Sequence, residues 1–242
     1  MSEFALLPIA FLTSCLAGAI GMGGGVLLIA AMPGLVPTAA IIPVHAVTQL
    51  ASNASRALFG WRHIAWQLVP ALLLGAVLGA WLGGEVYASL DLRWLPALMG
   101  CLILFLTWVP LPRPKGDGQL ALLGLGFYQT AIGMVAGASG PLGAAVLLRH
   151  KREKNWLVVN TAVYMSLNHC LRVVAFGALG FSFHPYLWLL LGLVAAVITG
   201  SWVGTWLRQF IPQVDFQRWF RWLVTVLAAR MIAHSFLAGT AA

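Results

Sequence analysis

From Pro185 to Leu207, and again from Ile64 to Gly84, the sequence carries no Asp, Glu, Lys or Arg. An α-helix rises 1.5 Å per residue, so roughly 20 such residues cross the hydrocarbon core of a bilayer. Runs of this kind recur along the chain. Only 8% of its 242 residues are charged, against about 25% in soluble domains. The chain is therefore expected to be embedded in a membrane. Leu, Ala, Val and Gly stand in long stretches without the alternation of barrel strands, which leaves helices as the spanning element. The first apolar run has no basic n-region and no convincing cleavage site, so it reads as part of the mature fold.

The formal net charge of +8 sits mostly in short loops, where the positive-inside bias puts Lys and Arg. It gives no support to nucleic-acid binding. Cys15, Cys101 and Cys170 fall inside apolar segments without metal-ligand spacing and read as small packing residues. No cofactor or metal is implied.

Shifted on itself by about 120 residues, the chain yields four short matches in the same order, a pattern common in secondary transporters. Ala17–Gly21 meets Ala136–Gly140. Ala46-Val47 followed by Arg56 meets Ala162-Val163 followed by Arg172, with the same internal spacing. Gly79–Gly83 meets Gly200–Gly204, and Arg93-Trp94 meets Arg218-Trp219. The expected organisation is a first repeat over 1–112 and a second over 113–242. Each holds one long Gly-interrupted segment (4–33, 119–148) and three ordinary spans (39–60, 66–84, 93–109; 156–178, 185–206, 216–237).

Loop charge supplies sidedness. Arg149, Lys151, Arg152 and Lys154 mark one cytoplasmic loop, and Arg113 with Lys115 marks another. Both ends of segment 119–148 then lie on one side, so it reads as a re-entrant hairpin, allowed at membrane depth only where protein or a polar cavity surrounds its tip. Arg62 with His63 and Arg208 with Arg218 fall inside; the loops of Glu85 and Asp91, of 34–38 and of 177–185 fall outside. The expected fold is an all-α membrane protein of two inverted repeats, each a re-entrant hairpin plus three transmembrane helices. The alternative, eight full crossings, puts the loops of Arg113 and Arg149 on opposite faces.

Glycines at Gly21 and Gly23–Gly25 break the first segment. The free N–H groups of the following half-helix, at the positive end of its dipole, offer an anion a cradle at Gly23, Gly24 and Gly25. Ser139 and Gly140, before Pro141, offer the same in the second. Packing alone could also explain such glycines, but paired breaks in two halves point to a transporter site. Gly75, Gly79 and Gly83, and Gly192, Ala196, Gly200 and Gly204, lie four apart in unbroken spans and read as packing stripes.

The second helix of each half carries a polar face: His45, Gln49, Ser52, Asn53 and Arg56 in one, Asn160, Tyr164, Asn168, His169 and Arg172 in the other. Asn53, Arg56, Asn168 and Arg172 are candidate anion ligands, because an intramembrane arginine costs at least ~2.5 kcal/mol and calls for a partner. Snorkelling to headgroups is the alternative for both arginines. His45 and His169 are the buried groups suited to proton coupling. Tyr128 and Gln129 are weaker candidates for polar contacts. Glu3, Glu85, Asp91, Asp117, Glu153 and Asp215 all lie at termini, span ends or loops, so an anion fits better than a cation. No metal-ligand set or Ser-His-Asp arrangement points to an enzyme.

Gly18-Ala19-Ile20-Gly21-Met22-Gly23-Gly24-Gly25, the turn Gly137-Ala138-Ser139-Gly140-Pro141 and the polar helix after each resemble the TauE/SafE family of sulfite exporters over nearly the whole chain. The second motif departs from the usual glycine triplet by reading Pro141-Leu142-Gly143. The resemblance implies a multi-pass transporter of the cell inner membrane that moves a small inorganic or organic sulfur anion, sulfite or an organosulfonate. A secondary transporter working by alternating access is expected, with a passive anion channel as the alternative.

Overall fold

The computed structural model describes residues 2–21, 23–109, 118–137, 147, 153–210 and 216–239, and every regular element among them is helical. In chain order these are α1 (Leu6–Ile20), α2 (Gly24–Ala31), α3 (Thr38–Phe59), α4 (Val69–Ala88), α5 (Leu95–Trp108), α6 (Gln119–Ala136), α7 (Lys154–Ala178), α8 (Leu187–Leu207) and α9 (Phe216–Gly239). The stretches Glu3–Ile20, Trp66–Ala88, Gln119–Ala136 and His184–Leu207 are long and apolar enough to cross a membrane. Helices α3 and α7 are as long, at 22 and 25 residues, but carry the polar face.

The first glycine cluster reverses the chain. Gly21 and Gly23 take φ of 99° and 97°, a region that side chains with Cβ rarely enter. Gly24 then lies back against α1, so close that a methyl there would sit 2.1 Å from the Thr13 carbonyl oxygen. Helices α1 and α2 form a hairpin with unequal arms of 15 and 8 residues. The second arm is short because Pro33 and the left-handed Gly34 turn the chain soon after it. In the other half, Gly137 (φ 69°) ends α6. The expected second arm, with Ser139, Gly140 and Pro141, lies outside the described residues.

Helix pairing is crossed between the halves. Helix α1 packs on α8 and α4 packs on α6, while α3 packs on α7 and α5 on α9. The small-residue stripes make the crossed contacts possible. A methyl added at Gly75, Gly79 or Gly83 would fall 1.9, 2.3 or 2.8 Å from the carbonyl oxygens of Leu123, Phe127 and Ala131 on α6. At Gly200 and Gly204 it would fall 2.4 and 2.0 Å from those of Phe11 and Cys15 on α1. Backbones this close gain dispersion contacts that larger residues would forbid.

The main apolar core gathers around α2 and α3, with Leu28, Ile29, Ile41, Ile42, Met99 and Met134 fully buried. Outward, Trp81, Trp188, Trp202 and Leu120 are exposed, a surface that suits lipid chains. Trp61, Trp66, Trp94 and Trp108, also exposed, stand at helix ends as interfacial anchors do. Cys15 is half-buried in the α1–α8 contact, whereas Cys101 and Cys170 are exposed and do not serve the packing expected of them. Their side chains fall on outer helix faces, which the run of apolar neighbours alone does not distinguish from inner ones.

Candidate functional site

Two buried arginines hold the C-terminal ends of α1 and α6. On α3, Arg56 donates from Nη1 to the Ala17 carbonyl (3.0 Å), 39 residues back, in the last turn of α1. On α7, Arg172 donates from Nη1 to the Gly133 carbonyl (2.7 Å), also 39 residues back, in the last turn of α6. It donates to the Gly137 carbonyl as well (2.7 Å). The carbonyls of Ala17 and Gly133 already accept the N–H of the left-handed Gly21 and Gly137. A cation at a helix C-terminus opposes the negative end of the dipole and satisfies carbonyls the helix leaves open, worth about 0.3–2 kcal/mol. Snorkelling is therefore not what these residues do. They are only 6% and 2% exposed, and they point inward.

Around each arginine the partners correspond. Ser14 on α1 and Ser52 on α3 share a hydrogen bond of 2.7 Å, 38 residues apart. Thr130 on α6 donates to Asn168 Oδ1 on α7 at 2.7 Å, likewise 38 apart. The residue three before each arginine bonds it: Asn53 Oδ1 accepts from Arg56 Nη2, and His169 Nδ1 from Arg172 Nη2. Every pair keeps the spacing of Arg56 and Arg172 (172 − 56 = 116). The sequence matches set Gly21 beside Gly140, but the glycine that takes Gly21's conformation and place is Gly137, three residues earlier.

The surroundings differ in how fully they are satisfied. Arg56 donates from all three nitrogens, with Nε going to the Ser52 carbonyl at 3.2 Å. Asn53 Nδ2 donates to the Gln49 carbonyl at 2.7 Å. A third hydroxyl, Ser201 on α8, joins Ser14 at 2.8 Å and Ser52 at 3.3 Å. Nearby, Arg208 donates to the Gly18 carbonyl from Nε and Nη2 at 2.9 and 2.7 Å. In the second set, Arg172 Nε and Asn168 Nδ2 are buried without a hydrogen-bond partner among the described residues.

The two sets meet at the histidines. The rings of His45 and His169 pack edge to face, with centroids 5.8 Å apart. Arg56, Arg172 and His45 all lie within electrostatic reach of His169. Among the described residues neither arginine pairs with a carboxylate, and the one acid–base contact is His63 with Glu153, 3.6 Å apart and exposed. An open groove bordered by Phe59, Asn155, Trp202, Trp206 and Arg208 includes none of Arg56, Arg172, His45 or His169. No group of metal ligands forms among the described residues.

The other expected site residues fall as follows. Gly24 is packed against Thr13, and a methyl at Gly25 would meet Gln49 Oε1 at 3.0 Å. The Gly25 carbonyl accepts from His45 Nε2 at 2.9 Å. No side chain caps the N-terminus of α2 behind Gly23. Asn160 does not join the arginine: it holds the turn before α4, accepting from the Ala65 N–H at 2.8 Å and donating to the His63 carbonyl at 2.9 Å. Gln129 is buried and Tyr128 half-buried. Sequence reading missed Ser14, Thr130 and Ser201, since a lone hydroxyl in an apolar run gives no signal; the 38-residue spacing shared by the two pairs could have found two of them.

Comparison with curated proteins and with solved structures finds no match. The family model for the sulfite exporter TauE/SafE matches residues 6–231. With apolar spanning helices, buried arginines at two helix breaks and a match of nearly full length, the chain belongs to the TauE/SafE family of sulfite exporters and is a membrane transporter.

Proposed function

We propose that this protein exports a small sulfur oxyanion, sulfite or an organosulfonate, across the cell inner membrane by alternating access. The observation that carries the reading is a pair of guanidinium groups, 6% and 2% exposed, with no carboxylate on either among the described residues. Buried positive charge without a counter-charge is costly, and a bound anion supplies the missing partner. The site lies around His169, where the field of both arginines converges. It is closed to the surface in this conformation, as a state between the two access states requires. The N-terminus of α2 at Gly23–Gly25, and Ser139 and Gly140 in the other half, belong to this proposal as flanking groups.

We read the chain as two inverted repeats, 1–112 and 113–242, each with a re-entrant segment and three spans. The crossed pairs support this: exchanging the halves turns the α1–α8 contact into α6–α4 and returns α3–α7 and α5–α9 to themselves. Such a two-fold relation gives the rocking of one half on the other a simple axis. Cysteines placed at Lys115 and Lys151 should label from the same face; labelling from opposite faces removes the inverted reading.

Sulfite counterflow into proteoliposomes tests the function. Saturable exchange is expected, and Arg172→Ala should reduce it about a hundredfold or more, as loss of one desolvated charge partner does. Near-normal exchange in that variant sinks the assignment. Single-channel currents in place of saturable counterflow would favour a passive channel.

A further inference from the structure

We infer that the two arginine sites divide the work: Arg56 is a structural lock on α1, and the anion is held by the second site alone, through Asn168 Nδ2 and Arg172 Nε with His45 Nδ1 opposite. This rests on the reading of the protein as an anion transporter and names the contacting atoms and the form of the ligand.

Three of the buried polar atoms left without partners among the described residues belong to His45, Asn168 and Arg172, residues that touch or adjoin His169. Arg172 bonds that ring, Asn168 precedes it in α7, and the His45 ring packs on it at 5.8 Å. All four residues are at most 3% exposed. Buried polar groups almost always find partners, and each one left alone costs about 1–3 kcal/mol. In the first site the corresponding atoms are consumed: Arg56 Nε meets the Ser52 carbonyl, and the Ser52 hydroxyl meets Ser14 and Ser201. Every nitrogen of Arg56 has a partner there, and no side-chain atom of Ser14, Ser52, Asn53 or Arg56 is among the buried atoms left alone in the described residues.

Each vacant atom has a definite sense. Thr130 donates to Asn168 Oδ1 and so fixes the amide with Nδ2, a donor, turned away. Arg172 Nε is a donor. His45 Nε2 faces the Gly25 carbonyl, which can only accept, so that nitrogen carries the proton and Nδ1 is left as an acceptor. Two donors, one of them charged, and one acceptor match an oxyanion that keeps one acidic O–H. Such a monoanion accepts from Asn168 and Arg172 through two oxygens and donates its O–H to His45. Hydrogensulfite has that form. A fully deprotonated dianion would instead set an oxygen against the lone pair of His45 Nδ1.

The test is ligand-dependent thermal stability and calorimetric binding with the full-length protein in detergent, using sulfite at slightly acid pH, methanesulfonate and sulfate as probes and dihydrogenphosphate as the sulfur-free control. Bound ligand raises stability in proportion to ln(1 + [L]/Kd). Hydrogensulfite is expected to bind more tightly than the other two. Asn168→Ala should weaken it about tenfold or more, while Ser52→Ala, the matching change in the first site, should lower stability without ligand and leave Kd within about twofold. Asn168→Asp keeps the acceptor for Thr130 and places a carboxylate beside Arg172, so it should be at least as stable as wild type and insensitive to the anion. This variant keeps the test open if Asn168→Ala fails to fold. Equal loss of binding in Asn168→Ala and Ser52→Ala, or tight binding by Asn168→Asp, overturns the division of work while leaving anion transport intact. Preference for sulfate overturns the hydrogen-oxyanion form. Binding of dihydrogenphosphate but not hydrogensulfite, lost in Asn168→Ala, would keep the division and overturn the sulfur substrate.

Discussion

Ser14, Ser52, Asn53 and Arg56 in one half, and Thr130, Asn168, His169 and Arg172 in the other, occupy the same framework with different chemistry. Beyond the exchange of Ser52 for Asn168, three differences matter. Ser201 adds a third hydroxyl to the first site, whereas the position matched to it in the repeat is Ala80, which is buried and has nothing to donate. Asn53 returns its amide to the Gln49 carbonyl and accepts from Arg56, whereas His169 accepts from Arg172 and presents its ring to His45. Ala17 sits where the second half has Gly133, and there a methyl would press on Arg172 Nη1, Cζ and Nε at 3.1, 3.2 and 3.4 Å. On the reading proposed above, the second arginine can hold an anion because one of its nitrogens has no protein partner among the described residues, whereas Arg56 has one at each.

The comparison breaks most visibly at the first arginine. Arg56→Ala strips the last turn of α1 of its cation and leaves the Ala17 carbonyl with the Gly21 N–H alone, so stability should fall by about 2 kcal/mol. If Arg56 is a lock, the anion affinity of the folded fraction is largely retained, as measured by calorimetry on protein that survives size exclusion. Affinity lost with no change in melting temperature would place the ligand on Arg56. A smaller effect is expected from Gly133→Ala, which gives the second site the methyl of the first. Displacing Arg172 by a few tenths of an ångström should weaken sulfite binding several-fold, roughly 1 kcal/mol, with little change in unliganded melting. Smallest of all, Ser201→Ala makes the first site resemble the second at that position; it should cost about 0.5–1.5 kcal/mol of stability and leave transport near wild type.

Much of the fold could be read from the chain. Uncharged runs gave the spanning helices, and the stripes at Gly75, Gly79 and Gly83 and at Gly200 and Gly204 do pack backbone on backbone. The polar faces of α3 and α7 do turn inward. What could not be read was the partner of each stripe: a run of glycines states that another helix comes close, and any apolar helix satisfies it. Asn160 shows the same limit within one face. It lies twelve residues before Arg172, and because steps of four drift around a helix of 3.6 residues per turn it ends about a third of a turn away and serves the turn at His63 and Ala65.

By itself, then, the sequence determined that this chain is a helical membrane protein, where its first helix breaks, and which side chains are too polar to face lipid. These follow from transfer free energies and backbone sterics, which act on each residue where it stands. Only the tertiary structure decided which arginine has a partner at every nitrogen. Arg56 meets the Ala17 carbonyl, 39 residues away, while the Ser52 hydroxyl beside it meets hydroxyls from two other helices. A carbonyl is the same atom at every position, so no residue type announces that it will meet a guanidinium, and the count of donors left over appears only when the helices are packed together.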